Sequence, residues 1–112
     1  MPKTTAQLIA RALGNLGKTE PGQDPEAEDV QRVTNLVDPL LAQLSASGVL
    51  VVPDANQIDD HIFLPLAMLL ANAAAPEFHI PPSMEAEAKA ERDIRRATSS
   101  MTFSQPMEAE YF

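Results

Sequence analysis

The sequence IFLPLAMLLANAAA, residues 62–75, decides the fold because it is apolar around its whole circumference apart from Asn72. Its large apolar residues recur at three- and four-residue spacing, which predicts a helix. A helix that is apolar on all sides has to be surrounded by other elements. Pro65 belongs near its first turn and Pro76 marks its end, so the stretch is too short to span a bilayer. We therefore expect the central helix of a soluble protein.

Two amphipathic helices are predicted before this stretch. The first covers residues 5–16, starts at the capping box TTAQ, residues 4–7, and ends at Gly17, which suits a left-handed cap. The second begins at Pro25, a residue that needs no donated amide at the first helical position. It continues with apolar residues at helical spacing until Gly48 stops it.

A fourth helix is predicted after the central one, from a cap at Ser83 to about Thr98. This helix is highly charged, and only Met84, Ala88, Ile94 and the small alanines are expected to face inward. Two oppositely charged pairs have the favourable four-residue spacing, Glu85 with Lys89 and Glu91 with Arg95.

The predicted fold class is all-α: a small bundle of about four helices with an extended C-terminal arm. A chain of 112 residues with 45% apolar residues is one domain with a small core. We expect a helical domain over residues 1–98 and the arm over residues 99–112. The β-prone run VLVV, residues 49–52, is too short for a sheet and is expected to be an extended connector that pairs only with another copy. The chain has no cysteine, which suits a reducing compartment.

The charge of the chain disfavours tight binding to bulk nucleic acid. Eight Lys and Arg stand against sixteen Asp and Glu, which gives a net charge of -8, so contact with phosphate begins with repulsion. Half of the basic residues lie in the fourth helix, where Glu and Asp balance them. The pattern favours a solvated or intersubunit face. A small DNA-binding regulator or packaging factor that uses residues 83–98 is the alternative, with Arg92, Arg95 and Arg96 as its contacts.

The triplet Asp59-Asp60-His61 contains residue types that ligate metals or transfer protons. Adjacent residues on a helix point about 100° apart, so the three side chains do not converge on one ion without further ligands. The triplet is better explained as a helix start. The sequence also lacks a glycine-rich phosphate loop and a nucleophile elbow. It predicts no catalytic residue, no cofactor and no metal.

The end of the chain holds three of its five aromatic residues. Disordered tails usually lack such residues, whereas segments that order on a partner use them as anchors. A frayed terminus is the alternative. We therefore predict a docking arm whose partner-binding residues are Met101, Phe103, Met107, Tyr111 and Phe112.

Five segments in order carry a family resemblance: LIARALGNLG at 8–17, PEAED at 25–29, residues 36–48, LAMLLA at 66–71 and AAPEF at 74–78. This order resembles the phage head-to-tail adaptor family, which includes tail accessory factors of short-tailed phages and connector proteins of long-tailed ones. The similarity covers about residues 4–98. The stretch from LAMLLA to AAPEF is its most recognisable part.

The resemblance implies a structural virion protein and not an enzyme. Members form a homo-oligomeric ring, commonly dodecameric, that binds the portal protein ring after DNA packaging and carries a downstream tail, nozzle or stopper protein. The expected location is the head-tail junction of the virion, preceded by the host cytoplasm. Neither sequence-specific nucleic acid nor a membrane is expected as a partner. The arm, residues 99–112, would contact the portal or adjacent subunits.

Overall fold

The computed structural model describes residues 2–19 and 23–103 of the chain, with the surroundings of side chains given as far as Thr98. The described residues form an all-α fold, as predicted. Its elements in order are α1 (Thr5–Asn15), α2 (Ala27–Ala46), α3 (Asp60–Ala74), a short 3-10 helix (Ala75–Phe78) and α4 (Met84–Phe103).

Helix α3 is the centre of the bundle, and it packs against α1, α2 and α4. Its buried residues are Ile62, Leu66, Ala67, Leu69, Leu70, Ala71 and Ala74. With the 3-10 helix it forms 19 residues, Asp60–Phe78, which by length and composition alone are enough to cross a membrane. The predicted stretch was judged too short for that. Half of this segment is buried inside the molecule, as expected of a core helix.

One stripe of α3 departs from the expectation that the helix is covered on all sides. Leu64 is 57% exposed and Met68 is 38% exposed. Leu64 and Met68 are four residues apart, so they lie on one face of the helix. Among the described residues α4 borders that face without covering it, since Leu64 and Met68 line an open groove with residues of α4.

Helix α1 begins and ends as its sequence predicts. The Thr4 hydroxyl accepts a hydrogen bond from the Gln7 amide at 3.2 Å, and the Gln7 side chain accepts one from the Thr4 amide at 2.9 Å. Gly17 has φ 75° after the C-cap, a conformation that only glycine adopts without strain. The inner face buries Leu8 and Leu13, together with Ile9 and Ala12.

Helix α2 begins later than predicted. Glu26 is its N-cap and has an extended backbone, so the first helical bond runs from the Val30 amide to the Glu26 carbonyl at 3.0 Å. Pro25 therefore lies before the helix, not at its first position. The helix stops at Gly48, which has φ 75°. Its apolar stripe faces the core, with Val33, Val37 and Leu44 buried.

The run at residues 49–52 is a connector without a strand, as predicted. Val49 is buried and Val51 is exposed, and both the Val49 and Leu50 amides donate to the Leu44 carbonyl at the end of α2. The one β-bridge in the described part of the chain joins Lys3 to Ile58. Pairing of this run with another copy stays a prediction.

Helix α4 runs antiparallel to α3 and is joined to it at both ends. At one end the Ser83 amide donates to the Asn72 side chain at 2.7 Å. The Ser83 hydroxyl accepts from the Ala86 amide at 3.1 Å, which confirms the predicted cap. At the other end Thr98 and Ile62 line the same pocket. The helix continues to Phe103, beyond the predicted end near Thr98.

The inward face of α4 is not the predicted one. Ala90 and Ile94 are buried, but Met84 is 84% exposed and Ala88 is exposed too. The reason is geometric: at about 100° per residue, Met84 lies about 80° and Ala88 about 120° around the helix from Ile94. Hydrophobicity suggested that Met84 packs inward, and the register of the helix decides otherwise.

Candidate binding groove between α3 and α4

A groove of about 460 Å³ lies between α3 and α4. The lining of the groove is mostly apolar, and it joins the uncovered stripe of α3 to the inner edge of α4. The lining residues are His61, Leu64, Pro65, Met68, Ala86, Lys89, Ala90 and Asp93. An apolar concavity with a few polar groups at its rim is the usual form of a binding site.

The groove exists because large and small side chains face each other across it. Leu64 and Met68 project from α3, whereas α4 contributes Ala86 and Ala90. Alanine fills little of the space beside the longer side chains, so a trough remains open. Leu64 and Met68 thus present apolar surface to solvent, an arrangement that typically marks an interaction site.

The rim of the groove carries an ion pair that differs from the predicted ones. The Lys89 ammonium donates to the Asp93 carboxylate at 2.9 Å, whereas Glu85 was predicted as the partner of Lys89. Arg96 lies 4.0 Å from the same carboxylate. The hydrogen bond from Lys89 is the main cause that lowers the pKa of Asp93, and burial opposes it. The rim therefore contributes no net charge from this pair.

The Asp59-Asp60-His61 triplet is a helix start, as the sequence favoured. The Asp59 carboxylate accepts from the His61 amide at 2.8 Å and lies 2.8 Å from Nδ1 of the His61 ring. The bond from the His61 amide is the main cause that lowers the pKa of Asp59. Within the described residues, no three His, Asp or Glu side chains form a group that suits a metal ion.

Three cations outside α4 lie over aromatic rings at the edge of the hydrophobic core. The Lys3 ammonium is 5.7 Å from the centre of the Phe63 ring. Phe78 has two such neighbours, Lys18 at 5.2 Å and Arg32 at 5.8 Å. These contacts join the loop after α1 and helix α2 to the 3-10 helix, and each contributes about 0.5–1 kcal/mol at an exposed site. The sequence did not reveal them, because the partners are distant along the chain.

The predicted docking residues cannot be placed in a site. Met107, Tyr111 and Phe112 lie outside the described residues, and of Met101 and Phe103 only the helical backbone is described. Their role as partner anchors stays a prediction. The sequence analysis in turn missed the groove, although the pairing of Leu64 with Met68 at four-residue spacing was a usable signal.

No family model, no curated protein and no solved structure matches the chain. The case for a function therefore rests on the chain's own residues and on their arrangement.

Proposed function

We propose that this chain is a structural head-to-tail adaptor of a bacteriophage virion. In this role it forms a homo-oligomeric ring beneath the portal and links the portal to the next tail component. Met101, Phe103, Met107, Tyr111 and Phe112 are the anchors of its arm. The chain has no catalytic role in this proposal.

The observation that carries the proposal is the order of sequence features that resembles the adaptor family. The most recognisable part of that resemblance, residues 66–78, folds as α3 and the 3-10 helix. Phe78 and Ala75 are buried there together with nearly half of the residues of α3. The residues that carry the resemblance therefore form the element against which the other helices pack. This supports an arrangement of helices like that of the family.

The charge distribution is compatible with a conduit for DNA. The four basic and four acidic residues of α4 cancel, so the whole net charge of -8 comes from the rest of the chain. Repeated around a ring, this charge repels DNA phosphates at short range, so DNA can move through the ring without binding to it.

The contacts of α4 weigh against the DNA-binding alternative. Lys89 and Arg96 lie beside Asp93, which leaves Arg92 and Arg95 as the other cations of the helix. A groove-reading helix needs a basic footprint, and this helix is neutral. Salt-dependent DNA binding that is lost on changing Arg92 and Arg95 to Gln would favour the alternative.

The test of the proposal is to mix the purified protein with the portal ring encoded in the same genome, and to determine the mass and images of the product. We expect a saturable ring-on-ring complex. A variant that lacks residues 104–112 should keep its helical circular dichroism and fail to join the portal. A folded full-length protein that leaves the portal bare would overturn the adaptor role.

A matched control separates the arm from the body. Met84→Gln changes the most exposed large apolar side chain of the described body and leaves the arm intact, so this variant should bind the portal as the parent chain does. If the variant without residues 104–112 also binds normally, Met107, Tyr111 and Phe112 are not anchors, even though the adaptor role stands.

A further inference from the structure

We propose that residues 104–112, the tail segment, dock in the groove between α3 and α4 of their own chain. The groove is open in the described body, and the tail segment follows directly on the helix that forms one of its walls. The docked state places Tyr111 and Phe112 against Leu64 and Met68. It is a property of the isolated chain and does not depend on a portal.

The first argument is chemical fit. The groove exposes Leu64 and Met68 above a floor of alanines, so it accepts flat or flexible apolar side chains. The tail segment supplies Met107, Tyr111 and Phe112. Aromatic and Met side chains are the usual anchors for such a pocket, because they bury a large area and adapt to its walls.

The second argument is reach. Helix α4 ends at Phe103, and Pro106 suits a turn that reverses the chain there. Residues 107–112 span at most about 20 Å when extended. Ala90 lies about 20 Å back along α4 from Phe103, because a helix rises about 1.5 Å per residue. The tail segment therefore brings its last two residues to the middle of the groove.

The third argument is charge. The tail segment contains Glu108 and Glu110 and no basic residue, so it is repelled by most of a body that carries a large negative charge. Helix α4 is the neutral exception. The other exposed apolar position close by is Val51, whose pocket is lined by Asp59. The rim of the groove instead carries Asp93 paired with Lys89, so this acid is neutralised and does not repel the tail carboxylates.

The tail segment contains an intrinsic fluorescent probe. Tyr111 is the one tyrosine of the chain, which contains no tryptophan, so the tyrosine fluorescence of the full-length protein reports on the tail alone. The experiment measures quenching of this fluorescence by acrylamide, with a synthetic peptide of residues 104–112 as the undocked reference. We expect a quenching constant roughly threefold lower in the protein than in the peptide, because a pocket shields most of the surface of its ligand.

Matched variants locate the docking site. Leu64→Gln and Met68→Gln, made together, should raise the quenching constant to that of the peptide. Met84→Gln makes the same chemical change on an exposed part of α4 outside the groove, so it should leave the constant unchanged. All three positions are exposed, and circular dichroism checks that the variants are folded. Phe112→Ser removes an anchor without touching the body, and should also raise the constant.

Three outcomes overturn the proposal. The first is equal quenching of the full-length protein and the peptide. The second is protection that survives the double groove variant. The third is protection that disappears on dilution together with a dimer in sedimentation, since the tail would then occupy the groove of a second copy. The portal is absent from these measurements, so their failure leaves the adaptor role untouched, and a failure to bind the portal leaves tail docking untouched.

Discussion

Helices α3 and α4 lie against each other, but they are stabilised in different ways. Helix α3 buries side chains towards α1, α2 and α4, and nearly half of its residues are buried. Helix α4 is longer and packs mainly on α3, with Ala90 and Ile94 as its buried residues. Its polar groups are used in the Ser83 cap and the Lys89–Asp93 pair.

This difference explains the groove, because the two helices differ in how much apolar surface they present to each other. Helix α3 has more apolar surface than its three neighbours cover, and the alanines of α4 are too small to cover the remainder. The uncovered stripe with Leu64 and Met68 is what is left over. An apolar face without a covering element is where an interaction is expected.

The largest expected effect lies in the core of α3. Leu70→Ala should lower the free energy of unfolding by about 2–5 kcal/mol, because it removes a fully buried side chain and leaves a cavity. Leu64→Ala is the control on the same helix, made in a chain without residues 104–112 so that the tail segment cannot cover it, and it should cost less than about 1 kcal/mol because that side chain is mostly exposed. Urea denaturation followed by circular dichroism measures both. Equal losses would mean that Leu64 is covered in solution.

A second pair tests the register of α4. Ile94→Ala should cost about 2–4 kcal/mol, since Ile94 is the large buried residue among the α4 side chains described, those up to Thr98. Met84→Ala should change the free energy of unfolding by no more than about 0.5 kcal/mol, although the sequence alone placed both residues inward. The same urea titration distinguishes them. A large loss of stability for Met84→Ala would show that Met84 packs inward, as the sequence suggested.

A third prediction concerns the joint between the two helices. Asn72→Ala removes the acceptor of the exposed Ser83 amide and should cost about 0.5–1.5 kcal/mol, the net contribution of a typical hydrogen bond. Asn35→Ala is the control, because Asn35 accepts from Gln31 on the exposed surface of α2 and should cost little. Urea denaturation measures the free energy of unfolding of both variants. If the two losses are equal, the hydrogen bond to Asn72 does not stabilise the packing of α4 on α3.

The smallest effect depends on pH at the start of α3. The pKa of Asp59 is lowered from its ordinary 3.8, first by the bond from the His61 amide. A carboxyl with a lowered folded pKa adds stability above its unfolded pKa, and this stability is lost as the pH falls through the folded pKa. Asp59→Asn keeps an oxygen acceptor and loses the charge. The variant should therefore lose less stability than the parent between pH 7 and about pH 3, as measured by urea midpoints at each pH.

Local signals predicted most of the helices correctly. The capping box at Thr4, the glycine after each of the first two helices and the Ser83 cap all depend on residues within one or two turns, so the sequence contains them. The start of α2 was placed too early, because Pro25 is equally compatible with the residue before a helix. The candidate groove was missed, and the anchors of the arm stay predictions.

By itself the sequence determined that the described part of the chain is all-α, that residues 62–74 belong to the central helix and that α4 is neutral in an acidic chain. Periodicity, caps and charge are properties of neighbouring residues, and these decide such features. Only the tertiary structure decided which sides of α3 and α4 are covered. That choice depends on the rotation of α4 against α3, which buries Ile94, exposes Met84 and leaves Leu64 at the edge of an open groove.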